Sequence, residues 1–102
     1  VTALVLRPAA VTDLTEVHAH SQGLADGLGD RFVAALDELF ARLREFPRSA
    51  PLVAGYRDVR RAVVRGFPYV VFYRRQPERI DVLRVLHAGR SDADRPPGEP
   101  LR

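Results

Sequence analysis

The spacing of apolar and polar positions changes twice along this chain, dividing it into a strand, two helices and three further strands. Thr2–Arg7 is a short, mainly apolar run with β-branched residues, which predicts a strand. Pro8 suits the first position of a helix, where its missing N–H would have no partner in any case. From Ala10 to Ser21, the apolar residues Ala10, Val11, Leu14 and Val17 fall on one helical face. Gly23, Gly27 and Gly29 mark a break. The amphipathic signal is clearest after them. Leu28, Phe32, Leu36, Leu39, Phe40, Leu43 and Phe46 share one face, opposite Asp30, Asp37, Glu38, Arg42, Arg44 and Glu45. Pro47 ends this helix, and the two helices predict an antiparallel hairpin.

Residues 47–56, with Pro47, Pro51 and Gly55, read as a loop. The period then becomes two. Arg57, Val59, Arg61 and Val63 alternate with Asp58, Arg60, Ala62 and Val64, and so much charge predicts an edge strand. Arg65–Gly66 is a tight turn. Phe67–Tyr73 is almost continuously apolar and aromatic, as in a strand covered on both faces. Gln76-Pro77-Glu78 makes the next turn, and Ile80–His87 a third strand, interrupted by Arg84. Beyond it Ser91–Arg102 is polar and proline-rich, so an irregular tail is expected. The order strand, helix, helix, three-strand meander predicts an α+β fold, with the helical hairpin packed on a small, mainly antiparallel sheet. Residues 1–90 are expected to form one domain and 91–102 the tail.

Composition narrows the classes. A length of 102 residues fits a single domain, and 46% apolar residues argue against disorder throughout. With no Cys, disulfides and thiolate metal sites are excluded. No apolar run approaches the roughly 18 residues of a membrane span. Val1–Arg7 is too short for a signal-peptide core, so a cytoplasmic protein is expected. The net charge of +3 is unevenly spread. Residues 1–55 carry five Arg and seven acids, residues 56–90 nine Arg and three acids, and residues 91–102 two Arg and three acids. The positive charge thus sits in the strand-rich segment, where it suits nucleic acid or an acidic protein segment. Scattered ion pairs on a solvated sheet edge are the plainer reading of the same residues.

Several short pieces, each weak alone, together resemble the ParE/RelE family of type II toxin–antitoxin toxins. They are Ala10 with Asp13-Leu14; Gly27-Leu28-Gly29-Asp30-Arg31-Phe32; Phe46-Pro47; Arg60-Arg61; Phe67-Pro68-Tyr69-Val70-Val71-Phe72-Tyr73; and Val85-Leu86-His87-Ala88-Gly89-Arg90. They span roughly residues 4–92, with the ParE-like branch closer than the RelE-like one. The resemblance implies a β-α-α-β-β-β toxin held inactive in a hetero-oligomer with its antitoxin. ParE-like members poison DNA gyrase without a known chemical step. RelE-like members are endoribonucleases that cut messenger RNA in the ribosomal A site. A third possibility is a non-toxic member that only binds antitoxin.

Metal-free RNA cleavage needs a base, an acid and cations for the charged transition state. Arg61, Arg84, His87 and Arg90 are the candidates should the chain be a nuclease, and Glu45 or Asp58 the candidate base. His87 is the candidate acid or base, a role open to histidine in general, yet a strand-end histidine can equally serve a local hydrogen bond. RelE-like nucleases use Lys and a C-terminal aromatic or His-Tyr pair. This chain has no Lys and no Tyr after Tyr73, which favours the gyrase-directed reading. Arg57, Arg60, Arg61, Arg65, Arg84 and Arg90 are the expected antitoxin- or target-binding residues. An acidic segment is expected to lie across hairpin and sheet, with apolar anchors in grooves and carboxylates on Arg. Arg84, inside an apolar strand, needs a partner if buried, such as an acidic antitoxin segment, a phosphate, or an internal acid like Asp81 or Asp58. His18 and His20 point to different sides of their helix, so no metal is expected there, nor any cofactor.

Overall fold

The structure is a computed structural model and describes residues 2–90; the expected tail lies outside the described residues. Its elements run β1 (Ala3–Leu6), α1 (Pro8–Leu24), α2 (Leu28–Glu45), β2 (Val59–Val63), β3 (Tyr69–Arg75) and β4 (Arg79–His87). The strands form one sheet in the order β1-β4-β3-β2. The β2–β3 and β3–β4 pairs are antiparallel, and β1 joins β4 in parallel. This is the expected α+β fold with a helical hairpin on one face of a mainly antiparallel sheet.

The spacing explains α2 better than α1. Pro8 opens α1, and Gly27 joins the helices with a left-handed φ of 79° that glycine tolerates without a steric penalty. Phe32, Leu36, Leu39, Phe40 and Leu43 of α2 are buried against Val71, Tyr73, Ile80, Val82 and Val85 of the sheet. Phe46 departs from the expected face. It caps α2, leaves the helical spiral and is exposed. The inner face of α1 departs more. Val11 is exposed, while Ala10, Asp13, Val17 and Ser21 are buried. A carboxylate therefore occupies a core position of this helix.

The outer sheet face carries a smaller core of Val59, Val70, Phe72 and Leu86, with Val53, Tyr56 and Leu83 packed on it. β2 lies at the edge, as its charge predicts, but starts two residues later than its alternation begins. Asp58 holds a left-handed φ of 54°, which a short polar side chain tolerates and a strand does not. β4 contains a bulge, since Phe72 pairs with Arg84 while Tyr73 pairs with Val82, leaving Leu83 over.

Candidate functional site

Pairing between β1 and β4 stops at Leu6 opposite Val82, and the Arg7 N–H donates the last bond to the Val82 carbonyl. Past this point no strand among the described residues lies beside this edge of β4. Asp13, one and a half turns into α1, fills the place. Its Oδ2 accepts the Val85 N–H at 2.9 Å and the Arg84 Nε–H at 2.7 Å, and its Oδ1 accepts an Arg84 Nη2–H at 2.9 Å. The carboxylate is 7% exposed and the Arg84 side chain 26%. The partner of Arg84 is thus an internal acid, but neither Asp81 nor Asp58. Asp81 is held by Arg79 Nε at 2.8 Å on its own strand.

Beside this pair lies a cleft of about 160 Å³ lined by Asp13, Glu16, Val17, Tyr69, Val85, His87 and Arg90. A tight turn builds its rim. The Ala88 N–H donates to Pro68 O, the Gly89 N–H to His87 Nδ1 at 2.9 Å, and the Arg90 N–H to His87 O. With Nδ1 accepting, the neutral imidazole carries its proton on Nε2. Tyr69 sets the ring from below, edge to face with centroids 5.3 Å apart, and itself rests on Phe32.

The remaining expected residues lie two strands away. Arg60 bonds Ala50 O at 2.7 Å and Arg48 O at 3.1 Å, so it holds the loop after α2. Arg61 is half-buried on β2, and Arg57 and Arg65 are exposed in the flanking loops. Arg61 and Arg84 flank Phe72 in one row across the sheet. Two strand spacings put their backbones roughly 10 Å apart. His87 and Arg90 line one cleft, which Arg84 adjoins through Asp13, while Arg57, Arg60, Arg61 and Arg65 lie on or beside β2. Glu45 and Asp58 are not among the residues lining the His87 cleft, and among the described residues its acids are Asp13 and Glu16. Sequence reasoning passed over Glu16 and placed Tyr69 in the core run Phe67–Tyr73, with base stacking as its minor alternative. A polar residue at a core position of α1 was the available signal for Asp13. His18 Nε2 lies 3.1 Å from Asp30 Oδ1 in an exposed pair between the helices. Among the described residues no cluster of three or more His, Asp or Glu can hold a metal ion. No helix among them is long and apolar enough to cross a membrane.

Fold and site together describe a small α+β domain whose helical hairpin is tied to the last strand by a buried carboxylate, with arginines along the sheet. The chain belongs to the ParE toxin family: the family described as ParE toxin of type II toxin–antitoxin system, parDE, matches residues 4–92. Among solved structures, it is similar to a chain of the chromosomal ParDE toxin–antitoxin system from P. aeruginosa. The TM-score is 0.73 at 19% identity, over 84% of this chain and 95% of that one, a likeness of fold. No curated protein sequence matches.

Proposed function

We propose that this ParE toxin is held inactive by a cognate ParD-type antitoxin and, once released in the cytoplasm, inhibits DNA gyrase by binding it without bond chemistry. The observation that supports this reading best is the engagement of Arg84. A nuclease needs guanidinium N–H groups aimed at the scissile phosphate, but this guanidinium turns its Nε and Nη2 to Asp13. Arg60 is likewise committed to the loop after α2. Arg57, Arg60, Arg61, Arg65, Arg84 and Arg90 are the side chains proposed to meet antitoxin or target, with Arg60 and Arg84 also shaping the surface they stand on.

Ribosome-dependent RNA cleavage is the second reading, and one observation favours it. The cleft gathers Glu16, His87 and Arg90, a carboxylate, an imidazole and a cation, in one place. A supercoiling assay with purified gyrase and toxin freed from antitoxin separates the two. The expected result is inhibition that added antitoxin reverses. A folded, growth-arresting toxin that leaves gyrase untouched but cuts ribosome-bound messenger RNA would replace the first reading with the second, with His87→Ala as its next test.

A further inference from the structure

The two edges of the sheet are finished differently. On the β2 side Pro51–Val53 runs antiparallel to the strand: Pro51 O accepts the Arg61 N–H at 3.1 Å, and the Val53 N–H donates to Val59 O at 2.8 Å. On the β1 side no strand among the described residues lies beyond Ala3–Leu6. Open edges are commonly blunted by charge, proline or a bulge. The strand Ala3-Leu4-Val5-Leu6 has none of these, and Val5 is 42% exposed. Backbone groups in a strand alternate sides. The Arg7 N–H points to β4, and with it those of Ala3 and Val5, so the N–H and carbonyl of Leu4 and Leu6 point outwards. A groove of about 530 Å³ opens between Thr2, just before this strand, and the end of α2, where Ala41, Arg44, Glu45 and Pro47 line it.

We infer that the β1 edge is a self-complementary interface whose occupant is a second copy of this chain. Two β1 strands meet antiparallel about a two-fold axis at Val5. Leu4 of each copy pairs with Leu6 of the other, N–H to carbonyl in both directions. The two Val5 side chains meet in the closer, non-hydrogen-bonded pair, and the two sheets become one. The same register sets Thr2 opposite the second copy's Pro8. Glu45, beside Thr2, thereby approaches the second copy's Arg7 and the start of its α1. The charges fit there. Arg7 and Glu45 are exposed, and neither is in an ion pair among the described residues. α1 opens with neither a side-chain cap nor an acid in its first turn, so its amino end attracts a carboxylate. An unrelated strand would have to bring both an uncharged edge and a cation for Glu45; a second copy carries both.

Sedimentation of the full chain, freed from antitoxin and followed over a dilution series, tests the interface. Wild type is expected to pass from dimer to monomer on dilution, with the Leu4 and Leu6 amides protected from hydrogen exchange only in the dimer. Val5→Lys sets like charges directly opposite each other and should weaken the dimer about tenfold or more. Its melting curve should match wild type at dilutions where both are monomers. Glu45→Arg should weaken the dimer too, and adding Arg7→Glu to it should restore the dimer, a recovery that a damaged fold would not show. Wild type that stays monomeric at every concentration would overturn the proposal. So would a dimer that a folded Val5→Lys chain keeps at full strength, because it would then form through another face. Leu4 and Leu6 amides protected only when antitoxin is added would overturn it as well, because the edge would then belong to the antitoxin.

Discussion

Asp13 accepts three hydrogen bonds in a site almost closed to water, two of them from Arg84. Removing one partner of such a pair leaves a charge that the site cannot solvate. Arg84→Ala is expected to destabilise the fold by about 3 kcal/mol, seen as a lower urea midpoint. Arg84→Lys should recover little, since an ammonium cannot reproduce the two-pronged contact. Tyr73 supplies the pH dependence. Its hydroxyl donates to Pro47 O at 2.9 Å, and burial pushes its pKa above 10.0, with a backbone bond at Ala50 and the Arg60 charge pulling back more weakly. The folded chain therefore keeps this proton to higher pH than the unfolded chain. Its stability is fully present below the unfolded value and falls as pH rises past 10.0 through the raised folded value. Tyr73→Phe should flatten that alkaline fall in denaturation curves, at a loss of about 1 kcal/mol near neutral pH for the missing bond. The need of Arg84 for a partner was legible from its place in an apolar strand. The identity of that partner was not, because Asp13 lies 71 residues away and only the chain path brings it near.

The hairpin shows how much of an element its spacing reveals. The apolar face of α2 was legible because Phe32, Leu36, Leu39, Phe40 and Leu43 repeat at helical period, and all five are buried. The face of α1 was not, because it buries Asp13 and Ser21, which no hydrophobic pattern marks. The sequence break at Gly23, Gly27 and Gly29 likewise merges three different roles. Gly29 lies inside α2 where the helices come closest. A Cβ there would sit 2.6 Å from Gln22 Cγ and 2.8 Å from the His18 carbonyl oxygen. Its N–H also donates to Gln22 Oε1 at 2.7 Å. Gly29→Ala should lower stability by about 1–3 kcal/mol through overpacking, despite alanine's better helix propensity. Gly23, within α1, has open space around it, so Gly23→Ala should raise stability by up to about 1 kcal/mol. Opposite signs for two identical substitutions in one thermal-denaturation series would confirm the close approach; equal signs would refute it.

Across the whole molecule, charge and layers coincide. The first 55 residues, which include both helices, carry a net −2, and residues 56–90, which supply three of the four strands, a net +6. An acidic partner is drawn to the sheet side before any contact forms. This separation was legible from composition by segment, and so were the element order and the edge position of β2. The sheet order was not. Alternation cannot tell which strands are neighbours, and placing β1 against β4 depends on how the hairpin crosses the sheet. That placement also bears on how the chain is made. Among the described elements β1 is made before its strand partner β4 and all that lies between them, with Asp13 waiting on the same strand for Arg84 and Val85. A nascent chain ending before Arg79 has two helices and a hairpin of strands but nothing to hold its first strand or its buried carboxylate. Translation interrupted before Arg79 would therefore release fragments without the closed sheet.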